Sequence, residues 1–339
     1  MTSTTEPSPA AKVRRLSNAI QDAAIVRAAA ELGLADAVGD APTPVTEIAA
    51  RVSADPATLA RLLRALSVHG IFEQVTPDVY AHTDMSRALR RDAPGGLIHT
   101  VLTPADWGWA VWSRLADAVR AGRCLFPDIF GADFFTYLAE HPEAQERMFR
   151  GMTSWSDRAN PALVSAMPLE GVRTVADMGA GSGTLLRAIL EHAPHVSGIW
   201  FDIEATLPVV EDELRSGPLS ERCTLVTGDY FHEVPFSADV YVFKLTLHMY
   251  DDEPCERILR NVAASAEPGA RIVIADPLLQ DPPEGKFVPA MDLHMLLVMG
   301  GKERTEQDYA DLFKRAGLEF VGITPTGTEL HLTVGRVPG

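Results

Sequence analysis

Val172-Arg-Thr-Val-Ala-Asp-Met-Gly-Ala-Gly-Ser-Gly-Thr184 is the stretch around which the rest of the chain is organised. A β-branched run ends in Asp177, glycines follow at Gly179, Gly181 and Gly183, and Leu185 to Leu190 resumes with helical spacing. That order predicts a strand, a tight turn and a helix start. Glycine lets the turn adopt backbone angles other residues resist and lets a ligand approach the main chain closely. The spacing is G-x-G-x-G; a dinucleotide turn requires glycine at 184, where Thr184 stands.

Downstream, strands and helices alternate. Strand Val172–Met178 is followed by helix Thr184–His192, strand Gly198–Asp202, helix Leu207–Arg215 and strands Cys223–Thr227 and Asp239–Lys244. Helix Glu253–Ala266 stops at Pro268-Gly269, and strand Arg271–Ala275 completes a parallel set. Thr305-x-x-Asp308 reads as a capping box for helix Glu306–Ala316. Strands Glu319–Thr324 and Glu329–Val334 flank Pro325-Thr326-Gly327 as a hairpin. The fold class is α/β, a Rossmann-like doubly wound sheet with an antiparallel edge, which binds ligands at the carboxyl ends of its strands.

Those ends carry chemistry. Asp177, Asp202 and Asp276 end the first, second and fifth strands; Gly228-Asp229 follows the third, with Tyr230 and Phe231 as flat neighbours for a purine; His248 follows the fourth. Acids at four of five strand ends suit a nucleoside, with Asp202 placed to accept ribose hydroxyls. A pyrophosphate calls for Lys or Arg near the turn, and none lies between Val175 and Leu186. S-adenosylmethionine has no phosphate, and its sulfonium suits an acidic, glycine-lined site.

The N-terminal half is helical. Periodicity runs from Val13 to Val38, a short helix covers Val45–Val52, and Asp55 caps a helix that starts at Pro56 and stops at Gly70. Strands Ile71–Val75 and Val79–His82 close a winged-helix module. Residues 1–100 hold 10 Lys+Arg against 11 Asp+Glu, so the module lacks a basic footprint for DNA. Apolar Ile20, Ile25 and Val26 beside the alanine-rich stretch 23–30 favour a dimerisation role. Four segments are expected: a flexible tail over 1–11, the winged-helix dimerisation domain over 12–100, a helical linker contributing to a substrate pocket over 101–165, and the cofactor-binding domain over 166–339.

At 339 residues the chain exceeds one small core, and its net charge of -16 argues against a nucleic-acid partner. Cys124, Cys223 and Cys255 lack the paired spacing of a zinc site or disulfide framework, so no metal is expected and a reducing cytoplasm is. No apolar run reaches membrane-span length, and Met1 to Ala11 lacks the apolar core of a signal peptide.

Taken together these residues resemble the S-adenosylmethionine-dependent O-methyltransferases of the plant caffeate/flavonoid type and their bacterial natural-product relatives. The likeness runs from Leu62-Leu-Arg-Ala-Leu-Ser-Val-His-Gly-Ile-Phe72 through Asp177-Met-Gly-Ala-Gly-Ser-Gly183, Phe201-Asp202, Gly228-Asp229-Tyr230-Phe231 and Lys244-Leu-Thr-Leu-His248 to Gly300-Gly301-Lys302-Glu303-Arg304-Thr305. The resemblance implies a winged-helix dimerisation domain, a homodimer and an active site between the domains. It puts Gly179, Gly181 and Gly183 under the methionine part of the cofactor, Asp202 on the ribose and Asp229 at the adenine amino group. Tyr230 and Phe231 lie beside the ring, Lys244 contacts the cofactor, and Ser156 lies near its carboxylate. His248 matches the catalytic base, and Asp276 and Glu303 the two acids around it, Asp276 fixing the imidazole tautomer and Glu303 bracing the ring. His248-Met249-Tyr250 departs from the usual His-Asp/Asn-Trp, and Asp276 from the common Glu.

For the acceptor, Met148, Met152, Trp155, Phe134, Met291, Met295 and Met299 offer an adaptable apolar lining, with Met249, Tyr250 and Asp292 as further contacts. An aromatic secondary-metabolite hydroxyl is the expected methyl acceptor. Another reaction on the same fold (C- or N-methylation, hydroxylation, decarboxylation, pericyclic chemistry) and a ligand-sensing winged-helix regulator are the alternatives.

Overall fold

The computed structural model describes residues 8–93, 96–103 and 105–339. It divides into two compact units: residues up to Ala105 with Glu146–Ser154, and Asp106–Gln145 with Trp155–Gly339. No described helix is long and apolar enough to cross a membrane.

In the first unit, helix Pro9–Ser17 starts on a Ser8 cap, so Pro9 to Ala11 are helical rather than part of a tail. Residues 1–7 of the expected tail lie outside the described residues. Helices Ala19–Glu31, Val45–Arg51 and Pro56–Val68 follow. Asp55 starts the last of these as its spacing predicts: its carboxylate accepts the Thr58 N–H at 2.8 Å, and Pro56 occupies the first turn. Strands β1 (Thr43–Pro44), β2 (Phe72–Thr76) and β3 (Val79–His82) pair antiparallel in the order β1-β3-β2. Ile48, Leu63, Leu66 and Phe72 are buried between helices and hairpin, which gives the winged-helix arrangement.

The second unit is built on seven strands: β4 (Thr174–Met178), β5 (Ser197–Asp202), β6 (Cys223–Thr227), β7 (Val240–Lys244), β8 (Arg271–Pro277), β9 (Glu319–Pro325) and β10 (Leu330–Arg336). Their order is β6-β5-β4-β7-β8-β10-β9. The first five are parallel, and β10 runs antiparallel between β8 and β9. The period-two alternation of strand side chains feeds two cores. Val175, Val242 and Val273 pack with Leu186 and Leu190 of helix Thr184–His192. Ala176, Phe243 and Ile274 pack with Ile258 and Leu259 of helix Asp252–Ser265 and Leu312 of helix Glu306–Arg315. Strand order reverses between β4 and β7, the place where such sheets open a crevice.

One expected element is absent. The helix expected over Leu207–Arg215 is replaced by a 3-10 segment, Glu204–Val209, and a short turn of helix, Asp212–Arg215. The break falls at Val210 and Glu211, whose ψ of 133° and 140° is extended rather than helical and separates the two short pieces. The capping box forms as read: Thr305 Oγ1 accepts the Asp308 N–H at 3.2 Å, and Asp308 accepts the Thr305 N–H at 2.9 Å.

Candidate active site

The glycine turn leaves β4 with all three glycines at positive φ, 74°, 56° and 85° for Gly179, Gly181 and Gly183. A Cβ on Gly183 would sit 2.5 Å from Leu214, whereas one on Gly181 would meet nothing within 4 Å, so the turn faces open space there. Asp202 ties the turn down. Its Oδ2 accepts the Gly181 N–H at 2.8 Å, and its Oδ1 accepts from Ile203 N–H (2.7 Å) and Thr206 Oγ1 (3.1 Å). Burial pushes its carboxyl up, opposed by those three donors.

Asp229 accepts the Phe231 N–H at 2.8 Å and lies 2.8 Å from the exposed His232 ring. A Cβ at Gly228 would meet the Phe201 ring at 2.7 Å, so that residue must be glycine for the chain to pass. Tyr230 and Phe231 lie 5.2 Å apart, and Tyr250 joins them: its hydroxyl is 3.0 Å from that of Tyr230, its ring 5.1 Å from Phe231. Tyr250, read as an acceptor contact, therefore sits with the residues expected around adenine.

At the end of β7, Lys244 Nζ donates to Ser156 Oγ at 2.6 Å and to Asn160 Oδ1 at 2.8 Å, 5.8 Å above the Trp155 ring. Trp155, expected to line the acceptor site, lies beneath the lysine. Burial pushes Lys244 down and Asp177 up, each opposed by the other's charge. Asp177 Oδ2 and Asn160 Nδ2 are buried without hydrogen-bond partners among the described residues. Asn160 carries no sequence signal; it lies four residues after Ser156 on helix Pro142–Ala166, which is the helical spacing that brings both to one lysine.

His248 follows Leu245, whose φ of 52° is strained for a branched side chain and turns the chain sharply after β7. The His248 Nδ1–H donates to Glu303 Oε1 at 2.9 Å, both side chains being almost fully buried. Nε2 has no hydrogen-bond partner among the described residues. Asp276 instead accepts the backbone N–H of His248 (3.2 Å) and the Tyr309 hydroxyl (3.4 Å). The contacts differ from the expectation: Glu303, not Asp276, meets the imidazole nitrogen, and Asp276 meets the main chain of His248. The reason is the path of Gly300-Gly301, where a Cβ on Gly301 would collide with the His248 carbonyl. That close approach delivers Glu303 to the ring. Asp292 accepts the Glu303 N–H at 2.9 Å, so it acts as a backbone brace. Burial pushes the His248 pKa down, but the Asp276 and Glu303 charges outweigh it, and the net shift is upward from 6.5.

Sequence reasoning missed Arg304. It is fully buried and donates to Leu247 O (3.1 Å), Tyr250 O (2.9 Å) and Asp252 Oδ1 (3.1 and 3.0 Å), gripping both ends of the segment that carries His248. Of the remaining acceptor candidates, Met291, Met295 and Met299 lie on or just after helix Phe287–Val298; Met295 is buried, the other two and Met249 half-buried. Phe134 is buried in an aromatic cluster with Trp107 and Phe126. Met148 and Met152 fall in the stretch that packs with the first unit. Among the described residues, no group of three or more His, Cys, Asp or Glu could hold a metal ion.

Residues 112–319 match the O-methyltransferase domain, and residues 15–92 the O-methyltransferase dimerisation domain. The chain is 33% identical over 308 residues to a phenazine O-methyltransferase, PhzM, of Lysobacter antibioticus, covering 91% of this chain and 90% of that one. It is 31% identical to a phenazine-1-carboxylate N-methyltransferase of Pseudomonas aeruginosa, over 91% and 92% of the two chains. The structure superposes on CalO1, a methyltransferase in calicheamicin biosynthesis solved with S-adenosylhomocysteine (SAH) bound, with TM-score 0.86, 30% identity and coverage of 98% and 100%. The chain belongs to the S-adenosylmethionine-dependent O-methyltransferases and is an enzyme of that family.

Proposed function

We propose that the enzyme methylates a hydroxyl of an aromatic secondary metabolite, with His248 as general base. When bound, S-adenosylmethionine supplies an electrophilic methyl group on a sulfonium. The unpartnered buried oxygen of Asp177 and the Asn160 amide, beside Lys244, fit the ammonium and carboxylate of its amino-acid end. Asp202 takes the ribose through the lone pairs its protein donors leave, Asp229 the adenine amino group, and Tyr230, Phe231 and Tyr250 its ring.

The observation that carries the reading is the His248 Nδ1–Glu303 Oε1 hydrogen bond of 2.9 Å. With Nδ1–H committed to Glu303, the free lone pair is on Nε2, and that nitrogen takes the hydroxyl proton. Glu303 stabilises the imidazolium so formed.

The pH dependence tests it. A base works unprotonated, so kcat/KM rises with pH and levels off above the raised His248 pKa, on the alkaline side of 6.5. Glu303→Gln removes an anion that stabilises the imidazolium, so the limb moves toward acid pH. A limb that stays in place in that variant contradicts the assignment.

Transfer to nitrogen is the second reading, favoured by the similarity to an N-methyltransferase. Homodimerisation through the N-terminal domain follows from the matched dimerisation domain and from Val13, Leu16 and Ile20, which lie 67%, 69% and 60% exposed. Light scattering is expected to give twice the 36.7 kDa chain mass, falling to one chain in Leu16→Glu/Ile20→Glu; a wild-type monomer would rule it out. A small-molecule acceptor, no nucleic-acid partner and a cytoplasmic location complete the reading, the last supported by three free cysteines.

A further inference from the structure

Two polar groups of the second unit have no part in the chemistry above. The Trp107 indole N–H, on a side chain 3% exposed, is buried without a hydrogen-bond partner among the described residues. His294, on helix Phe287–Val298, has no partner at either ring nitrogen among them. The two rings lie 5.8 Å apart, and Trp112 stacks on His294 at 6.2 Å with 20° between the planes. Phe134 meets the Trp107 ring edge-on at 5.0 Å, so the pair is set in an aromatic wall.

Burial pushes the His294 pKa down to about 4, and the charge of His248 acts in the same direction. At neutral pH its ring is therefore uncharged, with one N–H to donate, and it lies within electrostatic reach of the base. An indole N–H shut away from water is unfavourable unless something accepts it. Two neutral donors side by side call for a shared acceptor atom. Neither donor carries a charge, so the pair itself offers nothing to balance a carboxylate; a neutral oxygen is the matching group.

We propose that Trp107 and His294 form the selective end of the acceptor site, hydrogen-bonding a carbonyl oxygen on a planar aromatic substrate whose hydroxyl lies at His248. This rests on the O-methylation reading and adds to it a substrate class: hydroxylated aromatic ketones and quinones rather than simple phenols or aromatic acids.

The test uses two flat ligands that differ by one carbonyl, 2-hydroxy-9-fluorenone and 2-hydroxyfluorene, titrated calorimetrically into the full chain saturated with S-adenosylhomocysteine. The wild type is expected to prefer the ketone by about tenfold, the worth of a good neutral hydrogen bond. His294→Phe and Trp107→Phe keep an aromatic ring and delete a donor, so each should cut that preference to about threefold or less, with a smaller change for 2-hydroxyfluorene. A wild type without the preference, or variants that lose both ligands in parallel, overturns the proposal. Methyl transfer to each hydroxyl is read separately by mass. A preserved ketone preference without O-methylation would remove the reaction assigned above and leave the binding pair standing.

Discussion

Replacing His248 with Ala is expected to lower kcat on a hydroxylated aromatic acceptor by about 10²–10⁴-fold, the usual worth of a positioned general base. Cofactor affinity, measured by calorimetry, should change little, because the His248 side chain is not among the groups proposed to hold the cofactor. The residual rate is set by positioning alone, which can supply several kcal/mol without any base. His248→Ala also leaves Glu303 buried without its donor, at a cost of about 1–3 kcal/mol of stability. His248→Asn places an amide N–H near the position of Nδ1 and is the control for that loss. Turnover within a few-fold of wild type in both variants would leave no role for the imidazole.

Arg304→Met is expected to be the most damaging substitution away from the reacting atoms. The guanidinium is fully buried and satisfies two main-chain carbonyls, Leu247 O and Tyr250 O, together with Asp252. Removing one partner of such a buried charged network costs about 3–5 kcal/mol, because the groups left behind lose both partner and solvent. Urea unfolding should show that loss. Arg304→Lys restores one charge but not the planar fork that reaches both carbonyls, so it should recover only part. The catalytic effect should fall on kcat more than KM, since the segment gripped by Arg304 carries the base. Unchanged stability in Arg304→Met would refute the clamp.

The fold was legible because its signals are local. The glycine spacing at 179–183 and the Thr305/Asp308 box act over a few residues, and each took the expected form. The helix expected at 207–215 is interrupted by extended backbone at Val210 and Glu211, a break that apolar periodicity does not mark. The candidate site was legible in its members but not in their partnerships. Which carboxylate meets the His248 ring depends on how closely Gly301 passes the His248 carbonyl, a contact across 53 positions that no spacing encodes. Arg304 escaped for the same reason: its main partners are carbonyl oxygens, which every residue has. For Tyr250 and Trp155, expected as acceptor contacts, no spacing encodes the hydroxyl pair with Tyr230 or the Lys244 ammonium over the Trp155 ring. His294 gave no signal because an isolated histidine acquires its character from the indoles packed on it.

The most direct measurement is the fate of a labelled methyl group. S-adenosylmethionine carrying an isotopic methyl is incubated with the enzyme and a panel of hydroxylated aromatics, each also offering an amino group or an activated ring carbon, and the products are read by mass and NMR. The account predicts the label on an aromatic oxygen, with transfer sharply reduced in His248→Ala. Label on nitrogen or carbon, or none on any acceptor while the cofactor binds, would contradict it.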